Sequence, residues 1–344
     1  MSPDAPATMR AFVITGPRRA EVREVARPAP GPGEVVVDVE RAGVCGTDVE
    51  IFTGEMSYLH SGEATYPIRI GHEWAGVVSA AGEGVDDQWI GRRVTGDTML
   101  GCGTCERCGS GRQHLCAARH EIGVRGWPGA LAEQLPVPVH ALHELPAAVD
   151  AAVGALVEPG GNALRAVQGA GLAAGERMLV LGAGTIGLLA ALVAAAAGIE
   201  VQLLGRSERS RTFARSLGFR HVWTHETLPD FRYDAVLDAS NAPELPALAV
   251  NRVEPGGRVV LIGLAGVPSL VDTRTIALKD VTIVGVLSAS GGIAGIIERY
   301  AAGEVDPRPL VAATVGLDAV AEVLAGRRLP AWGGAPKIHV DPRQ

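Results

Sequence analysis

A chain of 344 residues, 47% of them hydrophobic, is long enough for two domains with a core each. Its net charge of −7 excludes bulk binding to nucleic acid, which needs a basic surface. The 45 glycines follow no collagen-like period and point to a turn-rich fold, and the first residues hold no apolar run of signal-peptide length, so the cytoplasm is the expected location.

From Ala11 to about Leu145, short β-type runs such as "AFVIT", "EVVVDVERAG" and "WAGVVSAAG" alternate with Gly and Pro turns. They predict an antiparallel, barrel-like β domain. One cysteine, Cys45, stands alone in "AGVCGTDVEIF", and "GHEWAG" supplies His72 and Glu73. The other four cysteines crowd into "CGTCERCGSGRQHLC" as Cys102, Cys105, Cys108 and Cys116. Four thiolates at such spacing, with glycines between them, can close a tetrahedral site on Zn²⁺. Disulfides are uncommon in the cytoplasm, a redox pair needs only two cysteines, and the ferredoxin spacing differs. A closed four-thiolate site has no open position, so this metal would hold a loop and do no chemistry.

From about Ala151 the texture changes. "MLVLGAG", "EVQLLG", "DAVLDAS", "RVVLIGLAG" and "VTIVGVL" read as buried strands, with helical stretches between most of them. This predicts a parallel sheet with helices on both faces. The nearly uncharged stretch 178–205 is long enough to span a bilayer. Gly182, Gly184, Gly187 and Gly198 instead divide it into strand, turn, helix and strand, so no membrane span is expected.

In "LVLGAGTIG", Gly182 allows the tight turn, Gly184 lets backbone approach a pyrophosphate, and Gly187 lets helix pack on strand. Thr185 and Ile186 open the helix whose N-terminus faces the phosphates. The next strand ends in "GRSERSR", where an NAD enzyme usually carries an acid for the ribose 2′-hydroxyl. Here Gly205 leaves room for a 2′-phosphate, Arg206 can pair with it through two N–H groups, and Ser207 can donate. Arg209 and Arg211 are further candidates, subject to the turn of the helix that starts there. The competing reading is a solvated basic turn with Glu208 offsetting the charge. NADP(H) is expected over NAD(H). After Ser290 come "IAGIIERYAAG", "LDAVAEVLAGRR" and a strand "PKIHV", a tail too short for a domain of its own. The expected division is 1–157 with 291–344 as the β domain, and 158–290 as the nucleotide domain.

"CGTD", "GHE", the four-cysteine loop, "EPGGNA" and "GAGTIG", in this order, resemble the zinc-dependent medium-chain alcohol and polyol dehydrogenases, with sorbitol, threonine and glucose dehydrogenase-like members. The resemblance covers nearly the whole chain. It implies a GroES-like β-barrel catalytic domain plus a Rossmann domain. It makes Cys45 and His72 ligands of a catalytic zinc, distinct from the structural one. Alcohol-type members add a second cysteine, where this chain has Glu158; that is the polyol pattern, in which Glu73 or Glu158 completes the sphere with water. Thr47 resembles the hydroxyl that binds the substrate oxygen and passes its proton on. Asp48 resembles a residue that orients His72 through a hydrogen bond; its alternative is a turn aspartate. Many members place a relay histidine three positions after this hydroxyl, and here Glu50 stands there, taking over the relay unless another route exists. Asp238, Asn241 and "VLSAS" would border the cofactor.

The implied substrate is a small polar molecule, a polyol, sugar or amino-polyol, oxidised or formed at a secondary alcohol. The alternatives are a reductase of simple alcohols or aldehydes, and a non-catalytic zinc and nucleotide scaffold. Phe52, Met56, Tyr58, His60 and Trp127 are candidate pocket walls or core. The resemblance also implies a homodimer or homotetramer, with "VTIVGVL" as a pairing edge.

Overall fold

The computed structural model describes residues 7–344. They form two compact units. The first runs to Glu158 and resumes at Val311–Gly333 and Lys337–Gln344; the second holds Pro159–Leu310 and Gly334–Pro336.

The first unit is built around the strand Glu34–Gly43, which pairs antiparallel with Glu73–Ala81, Gln134–Pro138 and Lys337–Val340. β-Branched residues suit its half-buried, pleated surface. Val35, Val37 and Val39 project from it into a core shared with Trp74, Val78, Leu135 and Val137. Burying each valine contributes about 1.5–3 kcal/mol. Leu317, Val320 and Val340 join the same core, so the tail completes this unit. A smaller sheet of Met99–Leu100, His120–Ile122 and Gly126–Trp127 carries the four-cysteine loop between its first two strands.

The second unit is a six-stranded parallel sheet. Its strands in chain order are Arg177–Leu181, Glu200–Leu204, Val222–Trp223, Tyr233–Asp238, Val253–Leu261 and Thr282–Gly285. Their spatial order is third, second, first, fourth, fifth, sixth, the dinucleotide-binding arrangement. Met178 to Leu181 are all fully buried, as a strand covered on both faces requires. The stretch 178–205 resolves into a strand, the helix Thr185–Ala196 and a second strand. Among the described residues no helix is long and apolar enough to cross a membrane.

The structure departs from the expected division at one segment. The helix Ile293–Ala301 buries Ile293, Ile296, Ile297 and Tyr300. It does so against the helix Val157–Ala170, where a Cβ on Gly160 would meet the Tyr300 hydroxyl and Ile296. The glycine pair in "EPGGNA" supplies the close seat for that apolar face. Residues 291–310 therefore lie in the second unit, and the first resumes only at Val311.

Candidate functional site

The strand Glu34–Gly43 delivers Cys45 to the start of the helix Gly46–Thr53. Cys45 is the residue that caps this helix, and Asp48 answers it: the Cys45 N–H donates to Asp48 Oδ2 at 2.9 Å while Cys45 Sγ accepts from the Asp48 N–H. The thiol thus sits at the N-terminus of this helix.

His72 precedes the strand Glu73–Ala81 and is buried, its carbonyl accepting from the Thr98 hydroxyl. Its Nδ1 faces Asp48 Oδ1 at 3.8 Å, beyond hydrogen-bond range. Neither atom has a hydrogen-bond partner among the described residues. Asp48 therefore acts on His72 by charge across a short gap, where the sequence predicts a direct bond. Burial pushes the Asp48 carboxyl above its ordinary range, against the pull of His72. Burial alone would push His72 down, but Cys45, Asp48 and Glu158 together hold it well above its usual value. A buried imidazole among Cys45, Asp48 and Glu158 marks a place suited to a cation, and a metal would take the place of a proton there. With Nδ1 turned to Asp48, Nε2 is the nitrogen left for the metal.

Ligand atoms of Cys45, His72 and Glu73 lie within 4.8 Å of one another. Both Glu73 oxygens also accept from Lys337 Nζ, at 2.7 and 2.6 Å. Burial would raise the Glu73 carboxyl, but Lys337, His72 and His339 together hold it below its ordinary range. Lys337 is likewise held charged by Glu73 against burial. Beside them, burial and then Lys337 push His339 down to about 4, so it adds no second cation. Glu158 is buried in the first turn of the helix Val157–Ala170 and acts on His72 through its charge, but it is not part of the 4.8 Å cluster. Thr47 and Glu50 are half-buried on the Cys45 helix, and burial followed by Glu55 raises the Glu50 carboxyl.

The proposed wall residues have structural partners. Phe52, Met56, Tyr58 and Trp127 pack on the first core. Tyr58 donates to Glu121 and accepts from Arg119, both at 3.1 Å, and Trp127 Nε1 donates to the Pro136 carbonyl at 2.8 Å. His60 Nε2 pairs with the Gly54 carbonyl.

All four loop cysteines are free thiols and their sulfurs lie within 4.8 Å of one another. Cys105 Sγ is 3.5 Å from Cys108 Sγ and 3.8 Å from Cys116 Sγ. Four sulfurs at a Zn–S distance of about 2.3 Å in a tetrahedron are about 3.8 Å apart, so the set fits zinc. A Cβ on Gly101 would meet Cys108 Sγ at 2.5 Å, which explains the glycine.

In the second unit Gly182 has φ 108°, and a Cβ there would press on the Ala239 carbonyl oxygen. A Cβ on Gly187 would overlap the Gly182 carbonyl, so helix and strand approach as closely as the fingerprint requires. At Gly184 the space is open, and the helix begins at Thr185 and Ile186 with its N–H groups toward it. At the end of the next strand, Ser207 caps the helix Glu208–Ser216 by accepting from the Ser210 N–H. Arg206 and Arg209 are exposed. Arg211 turns inward, donating to the carbonyls of Gly205 and Arg206 at 2.9 Å each and pairing with Glu208 at 2.5 Å. Arg211 thus shapes the loop, and Arg206, next to the strand end, stays exposed with Arg209.

The family described as alcohol dehydrogenase GroES-like domain matches residues 31–147, and that described as zinc-binding dehydrogenase matches 185–302. A 2-dehydro-3-deoxy-L-galactonate 5-dehydrogenase of Pseudoalteromonas atlantica is 32% identical over 86% of this chain and 89% of its own. The chain belongs to the zinc-dependent medium-chain alcohol/polyol dehydrogenases. An L-threonine 3-dehydrogenase of Saccharopolyspora erythraea is 35% identical over 81% of this chain and 83% of its own. An E. coli CFT073 alcohol dehydrogenase complexed with NADH superposes with a TM-score of 0.89 at 27% identity, covering 98% of this chain and 100% of that one. A Sinorhizobium meliloti 1021 protein bound to NADP gives 0.88 at 28%, with the same coverage. As a medium-chain dehydrogenase this protein is an oxidoreductase with a GroES-like and a Rossmann unit, in a family that works with zinc and a nicotinamide cofactor.

Proposed function

We propose that this dehydrogenase transfers a hydride between NADP(H) and the secondary alcohol or ketone carbon of a polyol, sugar or amino-polyol. One zinc would be held by Cys45 and His72 with a carboxylate, and a second, structural one by Cys102, Cys105, Cys108 and Cys116. The carrying observation is the convergence of the ligand atoms of Cys45, His72 and Glu73 within 4.8 Å, with no second thiol among them. Relatives named for a sugar acid and for threonine support a substrate with a further polar group beside the reacting carbon. The absence of an acid after Leu204 and the exposed Arg206 support NADP(H).

Zinc, when bound, supplies a Lewis acid for the substrate oxygen. Thr47 takes the hydroxyl proton of the alcohol and passes it to Glu50, whose raised pKa brings it closer to neutral pH than a free carboxylate. A bound nicotinamide would supply the acceptor for the hydride, which would take both electrons of the C–H bond and leave the carbonyl. Asp48 acts on His72 by its charge across the 3.8 Å gap to Nδ1. The strand Thr282–Gly285 ends its sheet, and Leu264, Val267, Leu270, Leu278, Ile283 and Leu287 are exposed near it in sequence. A second copy pairing along this edge would cover them, giving a homodimer or a tetramer of such pairs.

The test follows nicotinamide absorbance over polyols, aldoses, amino-polyols and simple alcohols, each with NADP⁺ and NAD⁺, before and after chelation. Chelator-sensitive turnover of a polar substrate, faster with NADP⁺, is expected. Turnover confined to simple alcohols overturns the substrate class, and preference for NAD⁺ overturns the reading of "GRSERSR".

A further inference from the structure

The helix Ser57–Ser61 has five residues and no stability of its own in water, so its place is set from outside. Its Tyr58 hydroxyl donates to Glu121 Oε1 and accepts from Arg119 Nη2, both at 3.1 Å. Arg119 Nε donates to the same Glu121 oxygen at 2.9 Å. Phenol, guanidinium and carboxylate thus close a triangle, and the Arg119–Glu121 pair is mostly out of water, where salt screens it little. Arg125 adds a second tie: its guanidinium lies 5.7 Å from the centre of the Tyr58 ring and pairs with Glu63, just past the helix, at 2.8 Å. All of these partners of the helix come from one segment, the chain that leaves the four-cysteine loop. Arg119 stands three residues after Cys116, and its backbone N–H and its Nη1 both donate to the Cys116 carbonyl, at 3.3 and 3.5 Å. Glu121 pairs across the small sheet with Met99, on the strand that enters the loop. On the other side of Tyr58, the turn back to the Cys45 helix hangs on one acceptor. The Glu50 carbonyl takes the N–H groups of Gly54, Glu55 and Met56 at 3.0, 2.9 and 3.2 Å, and the His60 ring fastens the short helix to the Gly54 carbonyl at 2.9 Å.

We propose that Arg119 is a positioning residue that links the four-cysteine loop, through Tyr58, to the turn held by Glu50, so that a metal in the loop orders the end of the helix carrying the relay candidate. The proposal rests on the reading of Cys102, Cys105, Cys108 and Cys116 as a metal site. Between Cys102 and Cys116 the regular structure amounts to Glu106–Gly109 and Gln113–Leu115, so an ion bound by the thiolates is what would close this stretch. With the ion gone, Cys116 loses its fixed place and Arg119 loses the carbonyl that aims it. Glu121 is then a buried carboxylate whose cation is no longer held, and the Tyr58 hydroxyl has lost the geometry of both its partners. The short helix, with nothing internal to keep it, loosens together with the turn on Glu50. A metal that does no chemistry thereby acts on proton transfer from outside the reacting centre.

The full chain is prepared as wild type, Cys108→Ser, Arg119→Met, Tyr58→Phe and the double variant Cys108→Ser/Arg119→Met. Zinc per chain is counted, and hydrogen exchange of the backbone amides over 54–63 is followed by mass spectrometry. Cys108→Ser is expected to lose one metal and to exchange about 10–100-fold faster over 54–63, the weight of one or two hydrogen bonds to charged groups. Arg119→Met keeps the wild-type metal count and shows the same gain. Adding Arg119→Met to Cys108→Ser gives no further gain, because both cut one path; two independent structural defects would add. Tyr58→Phe keeps the ring and removes only the hydroxyl, and it decides in place of Arg119→Met if that variant does not fold. In both, kcat falls on the order of 10-fold through misplacement of the relay while KM for NADP⁺ keeps its wild-type value. Unchanged exchange over 54–63 in a Cys108→Ser protein that has lost a metal overturns the proposal, as do additive gains in the double variant. A wild-type kcat in Tyr58→Phe overturns the link to Glu50. A Cys108→Ser protein with its full metal count overturns the reading of the loop as a metal site, and the proposal with it.

Discussion

Cys45 and Asp48 hold each other by reciprocal bonds, the Cys45 N–H to Asp48 Oδ2 at 2.9 Å and the Asp48 N–H to Cys45 Sγ. The same aspartate turns its other oxygen to His72, 3.8 Å away. One carboxylate therefore fixes the start of a helix, the thiol at its tip and the imidazole beside it. Asp48→Asn keeps a bond acceptor for the cap but removes the charge toward His72. Competition with a chelator should show the catalytic zinc about 10–100-fold more weakly held. Asp48→Ala should in addition lose the cap, about 1 kcal/mol, seen as a lower melting temperature of the zinc-free protein.

Arg206 and Arg211 should separate in a cofactor comparison. Arg206→Ala removes the presented guanidinium and should raise KM for NADP⁺ about 10–100-fold, the worth of one or two charge-assisted bonds, with little change for NAD⁺. Arg211→Ala frees the Gly205 and Arg206 carbonyls it now binds, so KM should rise for both cofactors. Equal losses for both cofactors in Arg206→Ala would show that no 2′-phosphate is bound there.

Glu50 is the candidate relay, and its pKa is raised from 4.5 by burial and by Glu55. A relay base must be ionised to accept a proton. Alcohol oxidation should therefore fall away on the acid side at a pH above that of a free carboxylate. Glu50→Gln should remove this limb from the kcat profile while leaving the KM for cofactor alone. An unaltered profile assigns the proton to another route.

Cys108→Ser should lower the metal count by one per chain and destabilise the loop around it, read as faster proteolysis within 101–116. Nucleotide binding, which belongs to the other unit, should persist when followed by NADPH fluorescence.

Ile283 lies on the edge strand, and Leu270 and Leu278 nearby in sequence are 90% and 88% exposed. Ile283→Lys places a charge where a second copy would pair. Light scattering should then report a species near the 35.6 kDa of one chain, where the unaltered protein gives at least twice that mass.

The ligand-type residues of this dehydrogenase are legible because their chemistry is in the letters. Thiols spaced for one ion, and glycines where a Cβ would strike backbone, leave few other readings. Both nearly invisible features depend on tertiary contacts. Lys337 meets Glu73 across 264 positions, a meeting made by the pairing of the last strand with Glu34–Gly43. The inward turn of Arg211 follows from the phase of a helix that starts at Glu208, and three arginines in sequence do not say which one turns in. By pattern the helix Ile293–Ala301 goes with the first unit; the small seat at Gly160 places it in the second instead.

The separation of Glu73 from Lys337 also sets an order of maturation. The four-cysteine loop spans a short contiguous stretch and can take up its ion soon after it leaves the ribosome. The site at Cys45 and His72 cannot reach its final charge balance until Lys337 has been synthesised. At about 5–20 residues per second those 264 residues take on the order of 10–50 s. During that interval a nascent Glu73 is an acid beside Cys45 and His72 without its lysine partner. If both sites take zinc, one would fill from a local loop of thiols and the other only after the last strand has docked.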